Sequence, residues 1–90
     1  MTFSEWIHNY LDSDLMLFSD SIKGITQAFK ESPVNKAMTE RWEDNVQGYP
    51  EVLLKAMKLH LDTIALEWLQ VNRPQHFIIR YLQERLSVTV

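Results

Sequence analysis

The sequence predicts an all-α fold: a compact bundle of four to five helices with a long central fourth helix. Three observations lead there. Apolar residues recur at steps of three and four along five successive segments. Pro33, Pro50 and Pro74 each follow a polar or turn-like stretch and precede a periodic apolar segment, the place where proline fits the first turn of a helix. No segment shows sustained apolar–polar alternation between turn residues, the signature of an antiparallel sheet.

The first segment opens on Thr2 and Glu5 at capping-box spacing, in which the hydroxyl and the carboxylate each satisfy a backbone amide of the first turn. Phe3, Trp6, Ile7, Tyr10 and Leu11 then mark one helix face. Asp12, Ser13 and Asp14 are expected to break this helix and cap the next. The second segment carries Leu15, Phe18, Ile22, Ile25 and Phe29, which favours one helix over residues 14–31. Gly24, Ser19 and Ser21 weaken that helix locally and allow a bend. Ser32-Pro33 ends it, because a residue before proline avoids the helical region.

In the third segment Ser32 is the N-cap, and Val34, Ala37, Met38, Trp42 and Val46 form the apolar line. Gly48 stops it, with Pro50 shortly after. The fourth segment, from Pro50 to Val71, contains no breaker. Leu54, Met57, Leu61, Ile64, Trp68 and Val71 form its main stripe, widened by Leu53 and Leu69, and this places Leu61, Ile64 and Trp68 in the core. Val52, Leu59 and Leu66, seven residues apart, form a second line on another face. A helix apolar on two faces is either central in its fold or shared with a partner. After Asn72-Arg73-Pro74 the fifth segment runs from Gln75 to about Leu86 and buries some set of Phe77, Ile78, Tyr81, Leu82 and Leu86. The domain thus spans residues 1–86, and residues 87–90 form a frayed tail.

At 90 residues the core is small, because such a chain buries only ~60–65% of its unfolded surface. Three Trp, four Phe and three Tyr offset this with large buried areas. The chain lacks cysteine, which removes disulfides, thiolate metal sites and cysteine nucleophiles and suits a reducing, cytoplasmic setting. The opening residues carry acids and no basic stretch before an apolar run, so no signal peptide is expected. No apolar stretch approaches the ~20 residues a membrane span needs.

Catalytic patterns are missing from the sequence. His8, His60 and His76 fall in three segments, and none forms a paired-histidine zinc motif. The acids around Asp12, Asp14 and Asp20 do not make a calcium loop, because Met16 and Leu17 stand where ligands or glycine belong. With only two glycines, no glycine-rich phosphate loop or nucleophile elbow exists. No enzyme activity, metal or cofactor is therefore expected.

Two surfaces stand out instead. On a helix Glu40, Glu43 and Asp44 would share a face, with Arg41 nearby, and Glu40 and Asp44 would be a like-charge pair one turn apart, open to a basic partner. Together with Val52, Leu59 and Leu66 they are the candidate protein interface. Arg73, His76 and Arg80, with Arg85 near, would form a basic stripe interleaved with Phe77 and Tyr81 if the last helix starts early, an arrangement suited to nucleic acid. The net charge of −3 argues against that alternative. The expected function is a small non-enzymatic protein-binding module, a regulator or inhibitor of a protein partner or a homodimer. Such chains are common among bacterial and mobile-element accessory factors.

Thr2-Phe3-Ser4-Glu5-Trp6-Ile7 with Tyr10, and later Leu66-Glu67-Trp68-Leu69, resemble the small YozE-type, SAM-like helical proteins of bacteria. The resemblance covers about the first seventy residues at isolated positions, and the segment after Pro74 has no counterpart. It implies a small helical fold and brings no defined activity with it.

Overall fold

The computed structural model describes residues 1–36 and 46–88. The sequence-predicted helix residues Ala37, Met38 and Trp42, the acids Glu40, Glu43 and Asp44, and the terminal Thr89 and Val90 lie outside the described residues. The fold is an all-helical bundle, with helices α1 (Phe3–Asn9), α2 (Ser19–Lys30), α3 (33–36 among the described residues), α4 (Glu51–Asn72) and α5 (Ile78–Val88). Among the described residues there is no strand. The longest helix, α4, is central, packed against α2 and against α5.

The capping box forms as read: the Glu5 amide donates to Thr2 Oγ1 at 3.1 Å, and the Thr2 amide donates to Glu5 Oε1 at 3.3 Å. The expected break at Asp12-Ser13-Asp14 does not occur. The helix instead widens into a π turn over Tyr10–Asp14, closed by the Leu15 amide donating to the Tyr10 carbonyl. Wider i→i−5 bonding rotates the following residues, so Tyr10, Leu11 and Leu15 all turn inward. Met16 then adopts a left-handed conformation (φ 52°) that reverses the chain. Leu15 and Leu17 are buried on either side of it, while Met16 and Phe18 point outward. One helix over residues 14–31 is therefore replaced by a π turn, a reversal and the shorter α2.

α2 runs through Gly24 without interruption. Gly24 is where the Trp68 side chain of α4 seats: a side-chain carbon there would fall inside the contact distance of the indole. The half-buried Trp68 packs on the core through this notch. Ser32 caps α3 as expected, accepting from the Asn35 amide at 3.3 Å, with Pro33 as the first helical residue. Past the undescribed stretch, a 3-10 turn over Val46–Gly48 leads to Pro50, which is the N-cap of α4. The Val46 amide donates to the Met1 carbonyl and joins this turn to the start of the chain. Phe3 gathers Trp6, Phe29 and Tyr49 around it, with ring centroids 5.7–5.8 Å apart, and forms the aromatic end of the core.

In α4 the buried line is Met57, Leu61, Ala65 and Leu69. Leu61 is core, as read. Ile64 and Trp68 are only partly buried, and Val71 is 81% exposed. The true stripe is rotated relative to the expected one because Ala65 occupies its centre, and alanine lets a neighbouring helix approach closely. Pro74 begins the turn after α4 rather than α5, and α5 starts four residues later, at Ile78. It buries Ile78, Ile79 and Leu82, leaving Phe77 and Tyr81 outside. Helix α5 continues through Ser87, whose hydroxyl donates to the Gln83 carbonyl, to Val88, so the first half of the expected frayed tail is helical.

Two stability measurements check this packing. Leu61→Ala should cost about 2–5 kcal/mol in urea unfolding, whereas Val71→Ala should stay within about 0.5 kcal/mol. Gly24→Ala should destabilise by about 1–3 kcal/mol despite alanine's better helix propensity, because the new methyl meets a rigid ring. In a Trp68→Ala background the same change should become neutral or stabilising.

Candidate functional site

The residue that organises the middle of the molecule is Asp62. It lies on α4 between Leu61 and Ala65, so its side chain enters the packed face and is only 1% exposed. Tyr10, from the π turn, donates its hydroxyl to Asp62 Oδ1 at 2.5 Å. Arg85, from α5, brings Nε to 3.2 Å from Oδ2. Each carboxylate oxygen thus has its own partner, and three separate elements meet on one side chain. Among the described residues no buried side-chain polar atom is left unsatisfied.

Electrostatics here are set mainly by burial. Removal from water pushes the Asp62 carboxyl above its ordinary range, while hydrogen bonding from Tyr10 and the Arg85 charge oppose the rise. Burial also pushes the Tyr10 phenol well upward, as do its hydrogen bond to Asp62 and the negative charge beside it, so it remains a donor. Lys58 sits 5.7 Å from the Tyr10 ring centroid and completes the charged surroundings with Asp14. Lys58 lines two shallow grooves. One, of about 200 Å³, runs past Tyr10 and Asp14, and the other, of about 280 Å³, lies over Asp62 and Arg85 and includes Lys55 and Leu59.

The expected basic stripe is not assembled. Arg73 caps the end of α4 and bonds Asp20 at the start of α2, 2.5 Å away. His76 Nδ1 accepts from the Ile78 amide and so caps α5. Arg80 lies 3.9 Å from Glu84 in an exposed pair, and Arg85 faces Asp62. The stripe fails because α5 begins at Ile78: Arg73 and His76 precede it and point by their own local bonding.

Of the expected interface residues, Val52 is 76% and Leu59 42% exposed, while Leu66 is partly buried and packs against the core. Tyr81 on α5 is 48% exposed, and Phe77, in the turn before α5, is 66% exposed. Tyr81 accepts from Arg85 Nη1 at 3.3 Å, and Arg85 shares with Leu59 the lining of one groove. The acids Glu40, Glu43 and Asp44 lie outside the described residues.

The apolar pattern of α4 passes over Asp62, an acid that a hydrophobic stripe does not count. The signal was present: an acid at three- and seven-residue spacing from Ala65 and Leu69 lies on the buried face. His60 itself packs edge-on against Phe29 and reaches Ser32 Oγ at 3.4 Å. Among the described residues no three acids or histidines converge as a metal site, and no helix is long and apolar enough to cross a membrane. No protein-family model, curated protein or solved structure matches the chain, so no match supports the resemblance at its opening residues.

The pH dependence of stability follows from the burial of Asp62. The folded chain binds this proton more tightly than the unfolded one, whose carboxyl titrates near 3.8. Its contribution to stability therefore rises as pH falls through the folded value and is complete below the unfolded one. Exposed Asp20 has the opposite sign, because Arg73 holds it below its ordinary range and its contribution is lost on acidification. The stability of the native chain minus that of Asp62→Asn, measured by urea unfolding, should increase from pH 7 toward pH 4. A decrease would contradict the burial argument. At neutral pH Asp62→Ala should cost about 1–3 kcal/mol by stranding the Tyr10 hydroxyl.

Proposed function

We propose that this chain is a small, non-enzymatic protein-binding module that engages a protein partner, or a second copy of itself, through the outer face of the α4–α5 hairpin. The observation that carries this reading is the exposure of Leu59, which lines the groove over Asp62 and Arg85, together with that of Tyr81, whose hydroxyl accepts from the same Arg85. Val52 is a further exposed apolar residue two turns back along α4, and Phe77 another in the turn just before α5. Exposed contiguous apolar surface with a polar rim is characteristic of interaction sites, and aromatic residues beside arginine are favoured anchors. Lys55, Lys58 and Arg85 supply that rim.

In this reading the chain acts as a regulator or inhibitor of its partner, and the absence of cysteine suits the cytoplasm. The nucleic-acid alternative loses its support where Arg73, Arg80 and Arg85 are each paired with a carboxylate of the same chain.

Sedimentation equilibrium over a hundredfold concentration range, paired with affinity capture from the native host, tests the proposal. The expected result is a complex, with self or with one captured protein, that Leu59→Glu or Tyr81→Glu abolishes while the helical circular-dichroism spectrum is retained. A 10.7 kDa species throughout, with no capture sensitive to either substitution, would overturn it.

A further inference from the structure

On the opposite flank of α2 from Gly24 and Trp68, a cleft of about 440 Å³ opens between α1 and α2. Its volume falls within the ~300–1,000 Å³ typical of small-ligand sites. Ile22, buried in the core, forms its floor. Lys23 and Lys30 stand two helical turns apart on the same face of α2, with Thr26 between them, and His8 faces them from α1. Ser19, at the first turn of α2, adds a second hydroxyl.

This lining is rich in donors. A lysine ammonium has three N–H donors and no acceptor, and the hydroxyls of Ser19 and Thr26 donate as readily as they accept. Neither lysine has a carboxylate within ion-pair distance among the described residues. Of the described acids nearest in sequence, Asp20 holds Arg73, and Glu31 accepts at 3.1 Å from Nε2 of Gln27, itself a lining residue, rather than from either lysine. No acid is among the described residues that line the cleft. In a chain with a net charge of −3, this concentrates unpaired positive charge in one concave place.

We propose that the α1–α2 cleft binds a phosphate monoester, with Lys23 and Lys30 clamping the dianion, Thr26 and Ser19 donating to its oxygens, and His8 closing the α1 side. A doubly charged tetrahedral group suits two ammonium groups reaching inward from positions 23 and 30, whereas a planar carboxylate would leave one of them unmatched. The buried Ile22 floor accommodates the carbon adjoining the phosphate ester. The group could be carried by a soluble metabolite or by a lipid headgroup, and both present the same chemistry to the cleft.

Titration of the full chain with inorganic phosphate and with glycerol 3-phosphate tests this, followed by amide NMR shifts at ionic strength held constant with chloride. Saturable shifts centred on His8, Ser19, Lys23, Thr26 and Lys30 are expected. The exposed double change Lys23→Gln and Lys30→Gln should weaken binding at least about tenfold without altering the circular-dichroism spectrum. Thr26→Val, a milder change, should weaken it by a smaller factor. Co-sedimentation with phosphatidate-containing vesicles, but not with phosphatidylcholine alone, would assign the source as a lipid headgroup. Binding of the soluble esters without vesicle binding would assign a metabolite. Shifts that do not saturate, or that survive unchanged in the double variant, would overturn the proposal.

Discussion

A carboxylate with almost no exposed surface, held between a phenol from the π turn after the first helix and a guanidinium from the last, is the constraint around which this bundle is arranged. A buried carboxylate costs several kcal/mol unless both oxygens are matched, and here Tyr10 and Arg85 match one each. The matching fixes more than charge. Tyr10 must be turned inward, which the π turn accomplishes, and α5 must lie along α4 at the register that brings Arg85 opposite Asp62. The left-handed Met16 is the consequence at the far end of the π turn, because the chain must reverse to lay α2 on the other flank of α4. On that flank the matching device is steric rather than electrostatic: Gly24 removes a side chain so that the Trp68 ring can seat.

Much of the architecture was legible in the sequence because helix ends carry local chemistry. Thr2 with Glu5, Ser32 with Pro33, and Pro50 all act within a few residues of themselves, and each works as its sequence implies. The phase of α4 was not legible from apolar spacing alone. Helices flank it on two sides, so its buried arc is wide and its apolar residues mark no single stripe. The centre of that arc is held by Ala65 and Asp62, residues that a hydrophobic pattern discounts. Gly24 read as a weakness because its value depends on Trp68, 44 residues away. Asp62 is the same case at greater consequence: its partners lie 52 residues before and 23 residues after it, and without them an aspartate in a helix reads as surface.

The candidate site was legible in part for the same reason. The second apolar line of α4 was visible as a pattern, and two of its members, Val52 and Leu59, are exposed, while Leu66 is drawn partly into the core beside α5. The arginine stripe required a helix that begins before His76. The Arg73-Pro74 turn and the histidine cap delay that start to Ile78 and send each arginine to a separate acid. The Asp62 network therefore has a consequence at the surface. It holds Arg85 in the lining of the groove that Leu59 shares, with the exposed Tyr81 bonded to the same guanidinium. A partner seated there would rest on a surface whose geometry is set from below by a buried ion pair.

The most direct test of that account is a double-mutant cycle between Tyr10→Phe and Arg85→Met, read by urea unfolding at neutral pH. The two side chains share Asp62, so their effects should be coupled by about 0.5–3 kcal/mol, the range for residues in one hydrogen-bond network. Additivity within about 0.3 kcal/mol would mean that the phenol and the guanidinium act independently, and that the buried carboxylate does not join the first helix to the last.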